Sequence, residues 1–168
     1  MAKAGILSEN DRVELLNGEI VEMSPIGSRH ASCVDRLNQR LSQAVGDAAI
    51  VRVQNPIRLS DHSEPEPDLA LLVPRDDFYA QGHPEPDDVL LVVEVAETSA
   101  EFDRQVKLPL YAEAGIPEVW LIDLAESRVE TYRDPSTSGY AEIQQRASGE
   151  SLSPKSLPDV TISTAEIL

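Results

Sequence analysis

Apolar and polar residues alternate between Arg12 and Met23, on either side of Asn17-Gly18. That dipeptide favours a type I′ turn, whose two central residues take positive φ, so the segment predicts a β-hairpin. Pro25 and Gly27 end it. The spacing then changes. Ala31, Val34, Leu37, Leu41 and Val45 recur at three- and four-residue steps and form one stripe of an amphipathic helix over about Arg29 to Val45. Ser28 stands where an N-cap belongs and Gly46 where a helix stops. Strands are expected near Ile50–Val53 and Ile57–Leu59, with Pro56 between them.

Three later runs are apolar without alternation: Leu69–Val73, Val89–Val95 and Val119–Ile122. Short continuous runs rich in branched residues read as strands buried on both faces. Polar, proline-punctuated stretches from Ser60 to Pro67 and from Arg75 to Asp88 read as loops. A helix is expected from about Asp103 to Ala114, stopped by Gly115 and Pro117. Pro109 falls inside it, so either the main helix starts after Lys107 or the helix bends there. Strand, helix and strand from Val89 to Ile122 make a right-handed βαβ unit. Arg128–Tyr132 and Tyr140–Gln145 flank a turn-rich link, Asp134 to Gly139, and read as antiparallel strands. With no internal repeat or linker, residues 1–168 are expected to form one α/β domain, a mixed β-sheet flanked by helices.

Composition changes this picture little, but charge changes it more. A content of 41% apolar and 26% charged residues suits an ordinary globule. The single cysteine, Cys33, excludes an intramolecular disulfide and a cysteine zinc cage, and reads as a small core residue. No apolar run approaches the length of a membrane span and the N-terminus lacks a signal-peptide pattern, so a cytoplasmic protein with no membrane partner is expected. The formal net charge is −16, and residues 61–103 hold 13 acidic side chains against Arg75 alone. That acidity works against tight non-specific binding of nucleic acid, which needs a basic footprint.

Two of the acidic residues stand out because of where they fall. Pro67-Asp68 opens the Leu69 run, and Glu94 lies inside the Val89 run. A carboxylate on a core strand is costly unless a cation or hydrogen bonds compensate it. Asp68 can alternatively be a solvated strand-start residue, and Glu94 can be the partner of Arg104 or Lys107. Lys107 follows on the predicted helix, four residues after Asp103 and four before Tyr111. It can reach the carboxylates, or simply pair with Asp103 at the surface. His30, at the start of the first helix, is a further candidate. Glu19 and Glu22 on the hairpin can add a ligand, although alternation leaves their facing open. His62 and His83 lie in polar loops, and Trp120 reads as core.

These residues carry a resemblance. The stretches Glu14 to Pro25, Glu66-Pro67-Asp68-Leu69-Ala70, Leu91-Val92-Val93-Glu94-Val95 and, above all, Lys107 to Asp123 resemble the PD-(D/E)xK nuclease superfamily. More narrowly, they are similar to a large bacterial family of presumed endonucleases once catalogued as a domain of unknown function. The resemblance spans nearly the whole chain. It implies the restriction-endonuclease-like fold, with an N-terminal hairpin and C-terminal antiparallel strands.

It further implies Mg²⁺ or Mn²⁺ held by Asp68, Glu94 and the Val95 carbonyl, with Lys107 as the catalytic cation. One departure is visible. The superfamily's lysine two residues after the glutamate is Ala96 here, and the narrower family supplies its lysine from the next helix. The expected activity is metal-dependent hydrolysis of DNA phosphodiester bonds, with DNA a weakly bound, non-specific partner approaching over Arg29, Arg36 or Arg40. Two alternatives stand beside it: a catalytically degenerate nuclease-fold homodimer that binds or regulates, and a hydrolase of small phosphorylated substrates.

Overall fold

A computed structural model describes residues 12–168. The hairpin forms as β1 (Val13–Leu16) and β2 (Glu19–Glu22), paired antiparallel. Asn17 and Gly18 take φ of 51° and 82°, the positive values a type I′ turn needs. The hairpin docks on the following loop: Glu64 N–H donates to Leu15 O at 2.7 Å and Gly18 N–H to His62 O at 2.7 Å. Helix α1 runs Ser28–Val45 and buries Cys33, Val34, Leu37, Leu41 and Val45, the predicted stripe. Its N-cap is Gly27 with no side-chain cap bond, so Ser28 begins the helix and does not cap it. Gly46 ends it with φ 52°.

The sheet has six strands in the order β3-β4-β5-β6-β7-β8: β3 Ile50–Val53, β4 Leu69–Leu72, β5 Val89–Ala96, β6 Glu118–Asp123, β7 Arg128–Ser136 and β8 Gly139–Ala147. Only β5 and β6 run parallel, joined by the expected helical crossover. The expected strand at Ile57–Leu59 does not join the sheet. Its backbone is engaged within loops: Ile57 N–H donates to Pro65 O, Leu59 N–H to Ser63 O and Arg58 N–H to Pro84 O. The C-terminal strands run further than expected, leaving only Thr137-Ser138 between them. A short pair, β9 (Ser151–Leu152) and β10 (Ile162–Ser163), follows.

Strand alternation sorts the core into two clusters. Leu69, Leu71, Leu91, Val93, Trp120 and Ile122 pack with α1. Ala70, Leu72, Val92, Ala96, Val119 and Leu121 pack with Leu108 and Tyr111 from the crossover. The runs are continuous because helices cover the sheet on both faces.

The crossover is not one regular helix. It comprises α2 (Ala100–Phe102), a π-helical turn at Asp103–Lys107 and α3 (Leu108–Glu113). Pro109 explains the break. In a continuous α-helix it would offer no N–H to residue 105 and its ring would meet that carbonyl. The wider turn lets Leu108 N–H reach back to Asp103 O, and Pro109 falls in the first turn of α3, where its N–H is not needed. Among the described residues no helix is long and apolar enough to cross a membrane.

Candidate active site

Register brings the two sequence-marked carboxylates together. β4 and β5 are antiparallel, with Leu69 opposite Val93 and Ala70 opposite Val92. Continuing that ladder by one residue sets Asp68 beside Glu94. Alternation then puts both on the face that carries Ala70 and Val92, beneath the crossover. Asp68 and Glu94 are 6% and 5% exposed.

Asp68 is held at both oxygens and Glu94 at one. Asp68 Oδ2 accepts the Val95 N–H at 2.8 Å, and Asp68 Oδ1 lies 3.2 Å from His30 Nε2. Glu94 Oε1 accepts from the Tyr111 hydroxyl at 2.6 Å and lies 2.6 Å from Lys107 Nζ. Lys107 therefore reaches the carboxylates. It is buried and is not the surface partner of Asp103. Arg104, the other cation considered for Glu94, is committed elsewhere, to Glu101, Asp123 and Glu130.

A second partner of Lys107 was not anticipated. Glu14 on β1 places Oε1 2.6 Å from Lys107 Nζ and also accepts the Glu66 N–H at 2.9 Å. Its signal was present in the hairpin: Glu14 is two residues from Leu16 and shares its buried face. Asp103 is buried as well, with Ser99 Oγ 3.4 Å from its Oδ2. Glu14, Asp68, Glu94, Asp103 and Lys107, with His30 and Val95, line one cleft of about 390 Å³ whose wall also includes Arg12, Glu22, Glu97 and Phe102. Of the two hairpin glutamates considered, Glu22 borders the cleft and Glu19 does not.

Position 96 offers no room for a lysine. Ala96 is fully buried, packed in the second core cluster and paired with Asp123. A lysine there would have to displace core packing. Arg29, Arg36 and Arg40 lie away from the cleft. Arg29 donates to Leu124 O and Arg36 to Leu168 O, while Arg40 faces Glu166.

Four carboxylates buried in one cleft, Glu14, Asp68, Glu94 and Asp103, face one buried lysine. Burial pushes Glu94 well above the ordinary carboxylate range, against the pull of Lys107, and pushes Asp103 up to about 6. Burial alone would lower Lys107, but Glu94, Glu14 and Asp103 outweigh it and raise it, so the amine is a firmly held cation. The hydrogen bond to Asp68 raises His30 in spite of its burial.

These shifts set a sign for stability against pH. The folded chain holds protons on Asp103 and Glu94 more tightly than the unfolded chain does, so stability falls as pH rises from the ordinary carboxylate range to about 6 for Asp103, and Glu94 acts in the same direction. His30 runs the same way, its contribution being present below its ordinary value of 6.5 and lost as pH rises through its raised folded value. Metal-free protein is therefore expected to melt several degrees higher at about pH 5.5 than at about pH 7.5, measured by calorimetry. A flat profile would mean that the cluster's charges are compensated in another way.

The oxygen donors suit a hard cation. Asp68, Glu94 and Val95 border the cleft, and the excess of buried negative charge calls for compensation. Among the described residues no group of three or more His, Cys, Asp or Glu surrounds one point.

Comparison with known proteins is decisive for the family. Residues 4–165 match the Uma2 family, described as "Putative restriction endonuclease". The chain belongs to this family. The Uma2 chain also shares its fold with a solved structure from Anabaena variabilis, described as a putative nuclease belonging to DUF820. The two are 15% identical, with a TM-score of 0.74 over 98% of this chain and 94% of the other. No curated protein matches the chain. The fold is thus the expected restriction-endonuclease-like one, with its mixed sheet, N-terminal hairpin and C-terminal antiparallel strands.

Proposed function

We propose that the cleft is a metal-dependent phosphodiesterase centre that hydrolyses DNA. The observation that carries this reading is the convergence of Asp68, Glu94 and Lys107, from three separate elements, in one open cleft. Asp68, Glu94 and the Val95 carbonyl would hold Mg²⁺ or Mn²⁺. Such an ion, when bound, activates water and offsets charge at the attacked phosphate.

The chain's own groups do the rest. The Val95 N–H and His30 Nε2 hold the two oxygens of Asp68, and the Tyr111 hydroxyl holds Glu94 at Oε1, which leaves Glu94 Oε2 to turn into the cleft. Lys107 remains protonated, so it donates hydrogen bonds to the attacking water or a phosphoryl oxygen and does not act as a base. Arg12 stands in the cleft wall within reach of an incoming phosphate. The net charge of −16 makes DNA binding weak and steeply salt-dependent.

The test is cleavage of supercoiled plasmid by purified protein with Mn²⁺ or Mg²⁺. Nicking or cutting that EDTA abolishes is the expected result. Metal binding by calorimetry with no cleavage would overturn the reading in favour of a non-catalytic nuclease-fold module, a reading that the acidic surface and Ala96 favour. Hydrolysis of bis(p-nitrophenyl) phosphate with intact plasmid would point to a small phosphorylated substrate.

A further inference from the structure

We propose that Glu14 is the positioning residue for Lys107: it holds the lysine's amine at the cleft so that the amine stays aimed at the substrate when Glu94 engages a metal. This rests on the reading of the cleft as a phosphodiesterase centre. An ammonium group has three protons. One is donated to Glu14 Oε1 at 2.6 Å, and Glu94 Oε1 occupies a second side of the amine as an ion-pair partner at 2.6 Å. The remaining proton has no partner among the described residues, and Lys107 lines the cleft.

Glu94 alone is a poor anchor. It is one of the two carboxylates proposed to hold the ion. An ion on Glu94 would offset the negative charge that attracts the lysine. Glu14 lies on another element and is itself fixed. The Glu66 N–H donates to the same Oε1, and the hairpin is tied to the Glu64 segment through the backbone pairing of Leu15 with Glu64. Asn17 N–H donates to Ser63 Oγ at 2.8 Å and extends that dock. The hairpin thus serves as a rigid post. Lys107 closes the π turn, and its side chain spans from the crossover to β1, 93 residues away in sequence.

The Glu14→Gln variant isolates the charge. Its amide oxygen can still accept the Glu66 N–H, so the dock of the hairpin is kept, while the ion pair with Lys107 is lost. Metal-dependent cleavage is expected to lose roughly tenfold to a hundredfold in kcat, with KM for DNA and metal affinity by calorimetry close to those of the wild type. Glu14→Asp returns the charge at shorter reach and should recover part of the loss. Equal rates in the wild type and the Gln variant, or equal losses in Gln and Asp, would assign Glu14 to the fold alone and overturn the proposal.

A second readout does not depend on activity. The chain has three lysines, Lys3, Lys107 and Lys155, so its side-chain ammonium resonances are few enough to assign by ¹H–¹⁵N NMR. The Lys107 signal should be protected from exchange in the wild type, and shifted or broadened in Glu14→Gln. An unchanged signal overturns the proposal. If the wild type cleaves nothing, the nuclease reading fails by itself, while this signal still reports whether Glu14 holds the lysine.

Discussion

Replacing Lys107 with alanine is expected to lower metal-dependent cleavage by about a hundredfold or more, because the cleft loses the cation that faces the water and phosphate. The metal should still bind, since the lysine contacts the carboxylates and is not itself a ligand. The structure adds a consequence that spacing alone does not suggest. Lys107 is buried between Glu14 and Glu94, so its removal leaves two buried carboxylates without their cation. Breaking a buried pair in this way costs roughly 3–5 kcal/mol. A lower Tm is therefore expected together with the lost rate, and cleavage should be measured well below it. A variant that cuts at the wild-type rate while only melting lower would reduce Lys107 to a structural partner.

The second large effect concerns Asp68. Mn²⁺ at about a hundred times its Kd should stabilise the wild type by about 2.7 kcal/mol, since the ion binds the folded state alone. For a chain of this size that is a rise in Tm on the order of 5–10 °C. Asp68→Asn should lose most of this rise and most of the cleavage. The asparagine can still accept the Val95 N–H through its side-chain oxygen, so the backbone geometry around β5 is kept. Glu94→Gln should behave alike, although it also leaves Lys107 with Glu14 as its remaining ion-pair partner. Equal metal-induced shifts in wild type and both variants would place the ion at another site.

Much of the fold was legible because it depends on local rules. Asn17-Gly18 demands the hairpin through its positive φ values, and the Val34-Leu37-Leu41-Val45 stripe demands a helix with one buried face. The apolar runs at Leu69, Val89 and Val119 declared strands covered on both sides. Ile57–Leu59 was misread because its pattern suits a strand, while its hydrogen-bonding groups are taken by neighbouring loops. Pro109 announced a break, but the form of the break, a π turn ending at Lys107, came from how the crossover meets the sheet.

The candidate site divides along the same line. Sequence alone determined that Asp68 and Glu94 are carboxylates on apolar strands and that Lys107 follows on a crossover helix, since apolar context and element order are local properties. Tertiary structure decided which groups meet. The antiparallel register of β4 with β5 sets Asp68 beside Glu94, and the packing of the crossover brings Lys107 and Tyr111 onto Glu94. It also brought in Glu14 and the buried carboxyl of Asp103, and it took Arg29, Arg36 and Arg104 away. The physical reason is that a buried charge chooses its partner by three-dimensional proximity and desolvation. Those depend on the register and packing of elements far apart in the chain, and residue spacing along one element does not encode them.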